Sequence, residues 1–240
     1  MSMMVQPGRF GAAPYRSGTD ASFASTVLLL GFQGADASTT VTDESAAAHG
    51  TATVQAQAQI DTAQFKFGSS SGLFDGSGDT FYWADHADFE LGTGNFCIEL
   101  WYRTPTAAGD HRIFSKFAAS GTFSFLFRQN GATYNWLTST NGTGFNTDIT
   151  AGTIAVDTWY HLAIDFDGTK TRLFVDGVMV GSTTTLRSFF DGTAVMTVGN
   201  DGGFGATATN GWIQEFRFTK ATRYGSDSSF SPPTAPFPGA

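Results

Sequence analysis

The run from Trp159 to Gly181 constrains the fold of this chain more than any other part of it. It divides into three short segments in which apolar and polar residues alternate, the two-residue period of strands with one buried face. Asp167-Gly168 and Asp176-Gly177 fall between the segments. Asp-Gly pairs supply the positive φ that a tight hairpin turn needs, so the spacing predicts an antiparallel meander.

The phenylalanines extend the same reading. The chain has 24 of them in 240 residues, and positions such as Phe123, Phe125 and Phe127 alternate, so they point to one face and are expected to build a core between two sheets. All-β sandwiches routinely reach this length as one domain, so one domain is expected. A strand is expected over Phe96 to Arg103, and Asn130-Gly131 marks a further hairpin turn. The chain's one cysteine, Cys97, has no partner for an internal bridge and reads as a small buried hydrophobe. The Ala- and Gln-rich stretch from Ala46 to Gln59 contains Gly50, Thr51, Thr53 and Val54, which favour an edge strand over a helix.

Three blocks carry a family resemblance. They are Trp159 to Gly181; Phe74 to Phe81 leading through Asp88-Phe89 to Asn95 to Arg103; and Gly211 to Phe218. Together they resemble the laminin-G-like, concanavalin-A-like jelly-roll family. The resemblance implies an all-β sandwich of two antiparallel sheets, spanning Leu28 to about Phe237. Phe218 to Tyr224 followed by Phe230 to Phe237 is similar to the ending of such domains in tailed-bacteriophage structural proteins. The opening, Val27 to Phe32 with Ile60 to Gly68, is similar to the same group. The organisation expected is an extended N-terminal arm over 1–24 and a jelly-roll domain over 25–240, closed by a Pro-rich strap across its surface.

The formal net charge of -8 excludes sequence-independent nucleic-acid binding, which needs clustered Lys and Arg. No segment reaches the roughly 20 apolar residues of a membrane span. No secretory signal pattern opens the chain. The arm is locally basic, with Phe10 and Tyr15 interleaved with Arg9 and Arg16. Those four residues are the expected partner-binding set of the arm.

Catalytic motifs are missing. The glucanases that share this jelly roll carry their carboxylates as E-x-D-x-x-E on one strand, whereas Glu99 stands alone and reads as a hydrogen-bond acceptor toward Arg103. His49, His86, His111 and His161 lack zinc-ligand spacing, and His161 reads as a structural strand residue. No serine lies in a G-x-S-x-G elbow. The glycine-rich run from Gly199 to Gly205 leads into no helix and reads as a rim loop. The resemblance implies calcium at the sandwich rim, with Asp79 and Glu215 as candidate ligands, but Gln214 replaces an acidic residue of the family pattern. No cofactor is expected, and Asp79 reads as a turn-stabilising residue. The resemblance also implies sugar binding, for which Trp83, Trp136, Phe145 and Trp212 are candidate stacking residues, with Asn135, Asn141 and Asn146 near them in sequence.

Three functions follow from the resemblance. The leading one is a non-enzymatic virion component, a capsid decoration protein that binds capsid or tail proteins through its arm. The second is a tail or fibre adhesin that binds host surface glycan, and the third a glycan-cleaving enzyme. A homotrimer matches the symmetry axes that decoration proteins occupy.

Overall fold

A computed structural model describes residues 15–16, 18–185, 189–205 and 207–239; Arg9 and Phe10 lie outside the described residues. Its strands, in chain order, are β1 (Thr26–Leu30), β2 (Thr53–Gln55), β3 (Gln59–Asp61), β4 (Ser71–Asp75), β5 (Thr80–Trp83), β6 (Phe96–Arg103), β7 (Asp110–Lys116) and β8 (Phe125–Asn130). There follow β9 (Thr133–Thr138), β10 (Asn146–Ala151), β11 (Tyr160–Phe166), β12 (Thr171–Val175), β13 (Val178–Thr183), β14 (Met196–Val198) and β15 (Asn210–Thr219). Helical structure among the described residues is limited to two short 3₁₀ turns, Phe23–Ser25 and Ala87–Phe89.

All strand pairs are antiparallel and form two sheets. One runs β13-β12-β11-β6-β15-β4-β3, with β1 also paired to β15; the other runs β10-β9-β8-β7-β14-β5-β2. The expected meander is β11 to β13. Its second turn carries Asp176 at φ 49° and Gly177 at φ 75°, the left-handed pair that matches strand twist in a two-residue hairpin. The Ala- and Gln-rich stretch supplies the edge strand β2.

The inner faces meet in an aromatic core. Phe96, Ile98, Leu100 and Tyr102 of β6 join Leu162, Ile164 and Phe166 of β11. Facing them, Phe125 stacks on Trp136, centroids 5.7 Å apart, and Phe114 meets Phe216 across the sheets at 5.4 Å. Phe125 and Phe127 belong to this core as the alternation predicts. Phe123 does not, because β8 begins two residues later. It stacks instead on Phe145 and packs edge-on against Phe117 in a satellite cluster.

The C-terminal segment crosses the outer face of the eight-stranded sheet. The Phe230 N–H donates to the Gly177 carbonyl at 3.0 Å, and Thr19 forms a parallel bridge with Gly239. A Cβ at Gly177 would stand 1.9 Å from the Phe230 carbonyl oxygen, at a φ that side chains tolerate poorly. Gly177→Ala is therefore expected to cost about 1–3 kcal/mol in urea unfolding and to open residues 225–231 to limited proteolysis.

Candidate functional site

Alternation along β6 sends Cys97, Glu99 and Trp101 away from the core. In an ordinary sandwich that face is wet. Here residues 15–16, 18–25 and 220–239 cover it, and Glu99 is fully buried. Its Oε1 accepts Arg217 Nε at 2.9 Å and Nη2 at 2.6 Å, with Arg223 Nε at 3.0 Å. Its Oε2 accepts the Tyr224 hydroxyl at 2.7 Å and His161 Nε2 at 3.1 Å. A carboxylate only accepts, so His161 carries its proton on Nε2 there. Arg217 and Arg223 share Asp20, at 2.7 and 3.0 Å, and Phe237 lies 3.8 Å over the Arg217 guanidinium.

Arg103, the partner expected from the sequence, turns instead to Asp157 at 2.9 Å. Burial alone would raise the Glu99 carboxyl; Arg217, His161 and Arg223 together outweigh it and hold the group well below the usual carboxylate range. A fully paired carboxylate with no approach from solvent is poorly placed as a general acid or nucleophile.

A second buried carboxylate holds the root of the arm. β15 bulges against β6 between Gln214 and Arg217, and Glu215 takes φ 53° at the bulge. It accepts the Tyr15 hydroxyl at 2.5 Å, Arg16 Nη1 at 2.7 Å and the Phe237 N–H at 2.7 Å. Burial raises the Glu215 carboxyl despite these partners, and burial together with Glu215 pushes the Tyr15 phenol up. Arg16 also pairs with Glu44. The described arm residues thus dock on the body of their own domain.

The residues implied for calcium do not fit it. Glu215 is committed to the donors just named. Asp79 accepts the Gln57 N–H at 2.7 Å and the Asp75 N–H at 2.8 Å, a turn-stabilising role. Gln214 is likewise occupied by Lys66, Phe67 and Ser70 backbone groups. Neither place offers the converging free oxygens a hard cation takes.

Beside this polar layer lies a groove of about 450 Å³ lined by Lys66, Phe67, Trp101, Trp159, Asp176 and Pro232 to Thr234. Lys66 Nζ sits 4.1 Å over the Trp101 ring, and Phe67 packs edge-on against it at 5.6 Å. Trp101 Nε1 is buried with no hydrogen-bond partner, whereas buried indole N–H groups are ordinarily paired. The groove therefore joins aromatic surface to a cation and a carboxylate, while Trp101 itself, its indole N–H included, is buried.

The aromatic residues proposed from sequence lie elsewhere. Trp136 and Trp83 are in the core, Phe145 is stacked on Phe123, and Trp212 is half-buried with its indole N–H donating to Asp61 at 2.8 Å. Asn135 bonds Arg128 and Thr150. Sequence reasoning did not single out Trp101 or Trp159, the two tryptophans that line the groove. The outward phase of Trp101, opposite to Leu100 and Tyr102, is the signal that marks it.

Architecture and groove together define a jelly-roll sandwich of lectin type. A family profile described as Concanavalin A-like lectin/glucanases superfamily, of laminin G type, matches residues 75–226, more than half of the chain, and the chain belongs to that family. No curated protein matches the sequence significantly. Among solved structures the chain is similar to the binding domain of Paraclostridial Mosquitocidal Protein 1, with TM-score 0.64 and 14% identity over 83% of this chain and 49% of that one. It is also similar to the receptor binding domain of botulinum neurotoxin D, with TM-score 0.62 and 11% identity over 85% and 51% of the two chains. At these identities the likeness shows the fold alone, and the chain spans about half the length of those structures.

The ion-pair layer yields a stability prediction. Glu99→Gln leaves Arg217 buried beside a neutral group and is expected to cost about 3–5 kcal/mol at neutral pH. The folded pKa of Glu99 is depressed, so its contribution is complete above the unfolded value of about 4.3 and is lost as pH falls toward the folded value. Urea unfolding across a pH series is expected to show the gap between wild type and Glu99→Gln narrowing below about pH 4; a gap that holds constant there contradicts the assignment.

Proposed function

We propose that this protein is a non-enzymatic bacteriophage virion component, a capsid decoration protein whose arm grips other virion proteins while the sandwich faces outward. The observation that carries the reading is the clamp at the root of the arm, Tyr15 and Arg16 on Glu215. It gives whatever precedes Tyr15 a fixed point of departure from a stable body. It also divides the arm: Tyr15 and Arg16 hold the root, and Arg9 and Phe10 are left as the gripping pair. The similarity of the chain's ending to those of tailed-phage structural proteins supports the virion location, and Glu99, sealed and fully paired, supports a role without catalysis.

Because Asp20 bonds Arg217 and Arg223, removal of the arm is made ahead of Tyr15. Deleting residues 1–14 is expected to leave the melting temperature within a few degrees of wild type and to abolish incorporation into particles, read by quantifying the protein in purified virions. Normal incorporation overturns the decoration reading.

A specific observation also favours glycan binding, in a tail or fibre adhesin. The groove sets the half-buried Trp159 beside Lys66 and Asp176, and sugars bind by stacking on aromatic faces while polar groups fix their hydroxyls. Trp159 is half-buried, so it can be truncated without emptying the core. Screening against bacterial surface glycans is expected to give a ligand that Trp159→Ala binds about tenfold more weakly, about 1.4 kcal/mol. Unchanged affinity moves the site off this groove.

A further inference from the structure

His49 and His86 are 37 residues apart in sequence, yet the fold brings them together with Asp88. Asp43, buried beneath the loop that carries His49, organises the first of them. Its Oδ1 accepts the Leu29 N–H of β1 at 3.0 Å and the Ser45 N–H at 2.9 Å; its Oδ2 accepts the His49 N–H at 2.8 Å. Trp83 Nε1 donates to the neighbouring Gly50 carbonyl at 3.2 Å, and the His49 ring packs on Phe89 at 4.6 Å. His86 and Asp88 come from the 3₁₀ turn Ala87–Phe89 and its cap. The two halves of the cluster thus sit on separately braced segments.

The contacts between the three side chains do not satisfy them. Asp88 Oδ2 lies 3.1 Å from His49 Nε2 and 3.3 Å from His86 Nδ1. His86 Nδ1 accepts the Asp88 N–H at 3.2 Å, so it has no proton to give the carboxylate. His49 Nε2 is buried and has no hydrogen-bond partner. Two acceptors and an unpartnered ring nitrogen face one another, an arrangement that costs free energy unless something positive lies among them.

We propose that His49 Nε2, His86 Nδ1 and Asp88 Oδ2 form a binding site for a zinc-like divalent ion. Zinc takes nitrogen and carboxylate ligands at about 2.0–2.2 Å, so the edges of its coordination tetrahedron are about 3.3–3.5 Å long. The 3.1 and 3.3 Å separations are close to such edges, and all three ligand atoms lie within 4.8 Å of one another. Two imidazoles select a borderline ion over calcium or magnesium, which prefer oxygen shells. His86 and Asp88 are 54% and 38% exposed, so a fourth position opens to solvent for water or for a ligand from a neighbouring molecule. Binding draws the His86 lone pair from the long bond with the Asp88 amide to the ion and clips the His49 loop to the 3₁₀ turn.

The test uses the untagged chain, since an added polyhistidine binds zinc itself. Calorimetric titration with Zn²⁺ is expected to give one ion per chain, and Co²⁺ the strong visible absorption of a tetrahedral site. His86→Gln keeps an acceptor for the Asp88 amide and Asp88→Asn keeps the side-chain shape, so both retain the metal-free melting temperature. Each is expected to weaken zinc binding at least tenfold. Zinc raises the melting temperature of wild type by mass action, and that rise disappears in both variants. No saturable binding, or wild-type affinity in the two variants, overturns the site.

Discussion

The ion pair between Glu99 and Arg217 governs how the rest of the outer face is built. Two charges withdrawn from water cost several kcal/mol each, and their attraction recovers this only where geometry is good and the remaining polar atoms are bonded. Arg217 faces Glu99 directly across the β6–β15 ladder, which fixes the geometry. Tyr224, Arg223 and His161 complete the carboxylate, and Asp20 completes the guanidinium. His161 comes from β11, but Asp20, Arg223 and Tyr224 belong to segments at both ends of the domain, so satisfying the pair specifies where both segments run. Asp165 reinforces the path by accepting the Thr222 hydroxyl and the Arg223 N–H, and Tyr224 and Phe230 stack 3.7 Å apart over the result.

Both proposed functions draw on the same layer. Pro232 to Thr234 form one wall of the aromatic groove, and Trp101, two residues along β6 from Glu99, forms its floor. Phe237 joins the two buried carboxylates: its ring lies on Arg217 while its N–H reaches Glu215. The groove and the root of the arm therefore share one scaffold. The groove proposed to bind glycan is thus walled by a segment that the buried charges already hold, which lowers the ordering cost that weakens flexible sites.

Much of the fold was legible because it rests on local periodicity. The meander, the β6 boundaries at Phe96 and Arg103, and the edge strand near Thr53 follow from alternation and turn residues. The site was less legible because cross-strand register and bulges decide it. The expected Glu99–Arg103 contact spans four residues of one strand, about 13 Å, whereas Arg217, 118 residues further on, lies directly opposite. Which tryptophans face outward depended on strand phase: Trp101 is out and Trp136 is in. The histidine pair escaped spacing rules for the same reason, since the loop braced by Asp43 and the turn after β5 meet only in the folded sandwich.

Hydrogen–deuterium exchange of the terminal segments tests the central claim, that they are structural parts of the sandwich held by its buried charges. The amides of Arg223, Tyr224, Phe230 and Phe237 all donate to partners on the body. The account predicts protection for them approaching that of β6. Exchange at the rate of an unfolded chain, with β6 still protected, contradicts it.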